Sequence, residues 1–248
     1  MKYRILLLAC VLAVNLRAQQ NPRLASDGFS QHIYNPASYG SWNTLGIRTV
    51  GRLQWVGVNG APKTLAVSGE ARLAFGGKAN YENSHTGSVG AIFLGEEIGS
   101  FKSQRFYVPL NYHIKIKNTF LSIGVAPGFI RQNWSVSGGP SATKFDMNAG
   151  IFWYSPKYYA GFSISHLFNP NIEGFQLVHQ YDLHAAYKIK AGNSTVTPMV
   201  MTTFDKAGMA VQIMAYYEYK KDLLRLGGGW TPNAALHFAA GTGYKGIR

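Results

Sequence analysis

Beyond its first eighteen residues the chain contains no cysteine, its single thiol being Cys10. Disulfides and thiolate metal sites are therefore excluded from the rest, and stability must come from hydrogen bonding and burial. Long apolar runs are also missing. After Val14 charges or glycines interrupt every stretch that could approach the about 20 residues a membrane helix needs. Acidic residues are scarce, 11 against 24 basic ones. No linker, low-complexity tract or shift in composition marks a second domain, so one domain is expected after the leader.

The leader is an export signal. Lys2 and Arg4 precede an apolar run from Ile5 to Val14, and Ala18 stands at a cleavage position before Gln19. Residues 1–18 are thus read as a signal peptide and 19–248 as the mature domain. The string Leu7-Leu8-Ala9-Cys10 resembles a lipoprotein box, but too few residues precede it and the apolar run continues past it. Removing Lys2, Arg4 and Arg17 leaves 21 basic against 11 acidic residues, a net charge of +10. Nucleic acid is not the expected partner, because the cations are spread over strands and turns and the chain is exported. A basic interior, acidic lipid head groups or an acidic partner fits better.

What the sequence does have is alternation. From Leu45 onward Leu45, Ile47, Leu53 and Trp55 share one face of an extended chain, while Arg48, Arg52 and Gln54 share the other. After a turn set by Gly57, Gly60 and Pro62, Leu65, Val67, Ala71 and Leu73 oppose Ser68, Glu70 and Arg72. Similar ribbons begin near Thr86, Ser103, Thr119, Thr143, Tyr158, Tyr181, Ser194, Gly208, Leu223 and Ala235. The fold class this predicts is all-β, an antiparallel transmembrane β-barrel of about 12 strands, since only closed sheets or helices satisfy their backbone groups in lipid. Phe162, Ile164, Ile213 and Tyr217 are expected to face the lipid. Turns at Lys117-Asn118, Ser155-Pro156-Lys157, Ala191-Gly192-Asn193 and Lys220-Lys221-Asp222 are tight; the connections 57–63, 97–102, 135–143 and 169–180 are expected to be longer and to face outward. The segment 76–88 is long where a tight turn is expected.

Two strings carry a resemblance to a known family. Gln31 with Asn35-Pro36-Ala37 and Gly40-Ser41, followed by Arg52-Leu53-Gln54-Trp55-Val56-Gly57-Val58-Asn59-Gly60-Ala61-Pro62-Lys63-Thr64, resembles the PorP/SprF family of Bacteroidetes. The resemblance runs from about Gln19 to the end. It implies an outer-membrane barrel of the type IX secretion and gliding machinery that assists export or surface attachment of particular adhesin-like proteins by docking, with translocon subunits, the exported substrate and outer-membrane lipid as partners. It also implies that the chain stops about two strands short of a 14-stranded family barrel. The alternative kept beside it is a porin-like diffusion channel; a soluble periplasmic β protein is a third.

Two groups of residues are candidates for function. Gln54, Trp55, Gly57, Gly60, Pro62, Lys63 and Thr64 form a candidate partner-binding outer loop, or else the glycines and proline set the turn and the tryptophan anchors the interface. Arg48, Arg52, Glu70 and Arg72 point into the lumen, either as an ion-pair network that stiffens the interior or as a basic surface selecting anionic cargo. His113, Lys115, His166 and His179 lie on polar faces or beside a loop without metal spacing, so no metal and no cofactor is expected. Ser165, His166 and Asp182 lack the surroundings of a nucleophile, and no enzyme activity is expected.

Overall fold

The computed structural model describes residues 31–42, 45–55, 57–74, 85–134, 141–172, 175–206, 208–219, 224–232 and 235–241. Fourteen strands form one antiparallel sheet. In chain order they are β1 (Leu45–Leu53), β2 (Lys63–Ala74), β3 (His85–Ile98), β4 (Phe101–Tyr107), β5 (Leu110–Ile116), β6 (Thr119–Trp134), β7 (Ser141–Tyr154) and β8 (Tyr158–Ser165). The short β9 (Asn171–Ile172) and β10 (Phe175–Gln176) pair only with each other. Then come β11 (Gln180–Tyr187), β12 (Ile189–Ala191), β13 (Ser194–Asp205), β14 (Gly208–Tyr219), β15 (Leu224–Thr231) and β16 (Ala235–Gly241).

Fourteen strands make twelve passes. β4 and β5 are one pass, since both pair with β3 on one side and β6 on the other. The break falls at Val108-Pro109, opposite Pro127 of β6, and two prolines without N–H groups cannot sustain the ladder there. The Gly90 and Val108 amides instead bond to the carbonyls of Pro109 and Pro127. β11 and β12 are likewise one pass interrupted at Lys188, whose amide bonds to Lys157 in the β7–β8 turn. Each of the other passes pairs with its sequence neighbours, from β1 to β16. Among the described residues no ladder joins β1 to β16.

The wall is apolar outside and polar inside. In β6 Ile123 is half exposed while adjacent Ser122 is wholly buried. The same parity leaves Ile151, Phe162, Leu183, Ile213 and Tyr217 outward and encloses Asp146, Ser163, Asp182 and Gln212. A soluble sandwich would hide the first set and hydrate the second. Only a hydrocarbon surround makes both sets favourable, because burying carboxylates without enclosing them in a bonded interior would be costly.

Most expected boundaries hold within two residues, as at Thr119, Tyr158, Ser194, Gly208 and Ala235. The tight turns at 117–118, 155–157 and 192–193 gather at one end; 220–222 lies outside the described residues. One expected loop is corrected. Glu97 and Ile98 belong to β3, and Phe101 and Lys102 to β4, so 97–102 shrinks to Gly99-Ser100. Its charges stand on strands that rise past the apolar band. The reach of the wall is also greater than the about 10 residues a strand needs, β6 having 16. Residues 75–84 and 135–140 are outside the described set, with β3 starting at His85 and β7 at Ser141.

Phe162 stacks against Tyr181 on the outward face, ring centroids 6.3 Å apart. Phe162→Glu is expected to lower insertion by up to about 2 kcal/mol, read as loss of the heat-modifiable band from the membrane fraction; normal levels would show that this face does not meet lipid.

Candidate functional site

Residues 31–42 run through the interior of the wall. Gln31–Tyr34 form a single helical turn, α1, and Asn35 closes it by bonding its N–H to Gln31 O at 2.8 Å. Asn35 then caps a 3-10 turn at Pro36–Ser38, its side-chain oxygen accepting the Ala37 N–H at 2.9 Å. Proline at the first position of that turn sacrifices no hydrogen bond, since its N–H would have had no partner. Asn35, Ala37, Ser38, Tyr39 and Ser41 are completely enclosed.

A short non-strand segment in a closed interior must have its backbone groups met by the wall. Asn35 Nδ2 donates to Ile151 O at 3.1 Å and to Phe162 O at 3.4 Å, tying the segment to β7 and β8. Asn111 Nδ2 donates to the carbonyls of Pro36 at 2.8 Å and Tyr39 at 3.1 Å, and Ser88 Oγ also donates to Tyr39 O at 2.9 Å. Gly40 is held at both its backbone groups: its N–H donates to Glu70 Oε2 at 2.7 Å, and its carbonyl accepts from an Arg72 guanidinium nitrogen at 3.0 Å. Two glycines of the wall make room for the segment. A Cβ at Gly124 would lie 2.7 Å from Ala37 Cα, and one at Gly150 would run into the Asn35 amide oxygen.

Apolar and aromatic contacts complete the fit. Ala37 belongs to a cluster with Phe120, Phe152, Tyr154, Tyr159, Met199, Met214 and Tyr216, against which Trp42 packs. Lys188 Nζ sits 4.0 Å from the Trp42 ring centroid, a cation–π contact. Tyr39 joins Ile92, Tyr107, Ala126 and Ile130, together with Ile172 and Leu177 from the connection between β8 and β11. That connection therefore folds inward and closes over the segment. Two small cavities beside it hold about 20 and 10 Å³, space for roughly one water each.

Of the four charges expected to line the lumen, Glu70 and Arg72 are buried and Arg48 and Arg52 half-buried, with different partners from one another. Arg48 pairs with Glu70 at 2.7 Å, while Glu70 and Arg72 grip Gly40. Arg72 also donates to Thr86 Oγ1 at 3.0 Å and lies over the Phe120 ring. Arg52 is half-buried higher on β1, where its charge acts on Glu96. His113 bridges Ser88 Oγ and the Tyr154 hydroxyl, both at 3.1 Å, whereas Lys115 is exposed at the strand end. His166 Nδ1 meets Asp146 Oδ2 at 2.7 Å, and His179 Nδ1 meets the His166 carbonyl at 2.9 Å. Asp182 accepts Thr203 Oγ1 at 2.6 Å and the Gln180 amide at 3.2 Å, so it and His166 are held by different partners.

The candidate outer loop is separate from this interior site. Trp55 and Val58 are largely exposed, and the loop closes through Gln54 N–H to Pro62 O at 3.0 Å. Gly57 and Gly60 adopt φ of +95° and +74°, which side chains beyond glycine resist, and Gly60 O accepts the Gly99 N–H of the neighbouring turn at 2.8 Å. Pro62 and Thr64 are buried, so they shape this loop rather than present a surface; Lys63 is exposed on β2. Sequence reasoning missed the interior segment. Gln31, Asn35-Pro36-Ala37 and Gly40-Ser41 were legible as a motif, but nothing local announces that strands more than a hundred residues away receive it.

Two expectations follow for the segment. Because no native cysteine lies beyond Cys10, Ser38→Cys is a clean reporter: it should resist a water-soluble maleimide, and adding Gly124→Val should make it react. Unchanged protection would show that Ala37 does not rest on Gly124. Acid should act in the same direction. Burial, with the charges of Arg48 and His184, holds His32 well below the usual histidine range. A released segment takes up a proton below about pH 6.5 while the docked one does not, so docking is at full strength above that value and weakens as pH falls. Labelling of Ser38→Cys that does not rise between pH 7 and 5 would contradict this.

Comparison with known proteins shows the family. The family described as type IX secretion system membrane protein PorP/SprF matches residues 16–248. No curated protein matches. Among solved structures, the β domain of the Bordetella autotransporter BrkA is similar, with 13% identity over 80% of this chain and 96% of that one, at a TM-score of 0.35. That superposition is too loose to carry an argument. Together with the inside-out wall, the match over nearly the whole sequence makes this chain an outer-membrane β-barrel component of type IX secretion and a member of the PorP/SprF family.

Proposed function

We propose that the protein is a plugged docking barrel, which helps export or hold at the surface particular adhesin-like substrates without itself conducting them. The observation that carries this is the interior occupied by residues 31–42, which are bonded to β2, β3, β5, β7 and β8 of the wall. A diffusion channel needs a continuous aqueous path, which larger barrels leave and a filled twelve-pass wall does not. On this reading residues 1–18 direct export, residues 19–248 stay in the outer membrane, and the end bearing the 54–62 loop faces outward. The exposed Trp55 and Val58 on a loop braced by Gly60 and Gly99 offer a rigid apolar contact to a translocon subunit or to the exported protein. The reading is non-enzymatic: His166 and Asp182 are each spent on separate structural bonds.

In planar bilayers the purified protein should show no steady conductance; regular open-channel steps would favour the porin reading. Trp55→Ala should leave insertion intact and cost about 2 kcal/mol of partner binding, about thirtyfold in affinity. Its readout is the amount of a type IX substrate retained on cells, and undiminished retention would remove the loop from the docking surface.

A further inference from the structure

The loop-bearing end of the wall is uneven in charge. On the outward face of β2, β3, β4 and β6 the apolar rows stop and ionic side chains begin. Register places Lys63 beside Glu97, Glu97 beside Lys102, Lys102 beside Asn133, and Gln104 beside Arg131. Strand parity turns Lys63, Glu97, Lys102, Gln104 and Arg131 outward: all are exposed, whereas the intervening Thr64, Ser103, Arg105 and Gln132 are buried. Lys102 Nζ lies 3.1 Å from Glu97 Oε1. Three cations thus share a face with one carboxylate. Further into the membrane on the same strands stand exposed Leu65 and Phe129, two residues or about 7 Å from Lys63 and Arg131, and Phe106, two residues beyond Gln104 and four from Lys102.

The opposite arc differs. There the outward face at this end finishes on Phe204 and Met209, and the described charges in the β13–β14 turn, Asp205 and Lys206, cancel. A rim meant only for hydration would be charged all round. Among the described residues the outward rim carries its excess of positive charge in this one sector, directly above acyl-facing side chains, and that calls for an anion that is itself attached to acyl chains.

We infer that Lys63, Lys102 and Arg131 bind the phosphate groups of an outer-leaflet lipid, a phosphorylated glycolipid whose acyl chains lie along Leu65, Phe106 and Phe129. Arg131 offers a planar fork to phosphate oxygens and the two lysines offer point charges, while Gln104 supplies a neutral donor beside them. The inference rests on the outward orientation given above. Its readout is binding to purified protein, so its failure leaves the conductance and display results standing.

The test uses the full mature chain in a neutral detergent, titrated with diphosphoryl lipid A and followed by native mass spectrometry. One lipid should bind per chain, and a K63Q/K102Q/R131Q variant should weaken binding about a hundredfold, at roughly fivefold for each cation near an anionic head group. Fully dephosphorylated lipid A should bind wild type as poorly as that variant, and millimolar inorganic phosphate should not displace the lipid. Heat-modifiable migration verifies that the variant is folded, and the single R131Q variant provides a milder check. A K157Q/K190Q variant at the far end should bind like wild type. Equal binding by the triple variant, no discrimination against the dephosphorylated lipid, an equal loss in the far-end variant, or better displacement by polyglutamate than by lipid A would each overturn the site.

Discussion

Hydrocarbon offers no hydrogen bonds, and that constraint organises the whole molecule. Every N–H and C=O in the membrane must find its partner within the wall. The successive ladders between β1 and β16 do so for every pass that has a neighbour on both sides, and alternation then follows without further design, because a strand that presents Phe162 and Ile164 to lipid must turn Ser163 and Ser165 inward. Polar residues thus collect inside for a geometric reason before a functional one. Having collected there, they need partners of their own. Glu70, Arg72, Asp146 and Asp182 are all buried, and an interior left half-satisfied would cost more than an apolar one.

Residues 31–42 answer that need. Their backbone is irregular, so it offers free carbonyls and amides at many angles, where a thirteenth strand would spend them on its neighbours. Asn111, Ser88, Arg72 and Glu70 find acceptors and donors on Pro36, Tyr39 and Gly40. Packing supplies the rest, through Trp42 edge-on to Phe152, Tyr154 and Tyr159. A filled interior also explains why Ile172 and Leu177, at the loop end, can turn inward on an apolar cluster rather than stay in water.

The wall was legible in the sequence because its signal is local. Leu121 to Ala126 or Val211 to Glu218 declare their faces within a few residues, and the turns between them announce themselves by Gly, Asn, Pro and Lys. The expected loop at 97–102 is instead the top of a hairpin; above the apolar band a strand has no reason to stay apolar, and Glu97 and Lys102 pair across it. The interior segment was opaque for the opposite reason. Asn35 meets partners 116 and 127 positions away, and no period or composition within a window can encode that. Parity assigns Glu70 and Arg72 to the polar face, where both are buried, yet parity names only a direction and is silent on what waits there.

One carboxylate stands where three parts of the molecule meet. Glu70 pairs with Arg48 of β1, accepts the Gly40 N–H of the interior segment, and belongs to β2, whose first residue adjoins the 54–62 loop. β1 has a ladder on one side only among the described residues, and its inward side chains are half-buried where those of β6 are enclosed. Its position thus leans on the β2 ladder and on the Arg48–Glu70 pair. A charge buried this way holds the segment and the edge strand in the same act, so disturbing it would loosen both. Contiguity of that kind is not by itself transmission, which would require two discrete arrangements that both ends favour differently. What the geometry does establish is a shared foundation: the loop that bears Trp55 joins β1 to β2, and Glu70 of β2 holds both Arg48 of β1 and Gly40 of the interior segment.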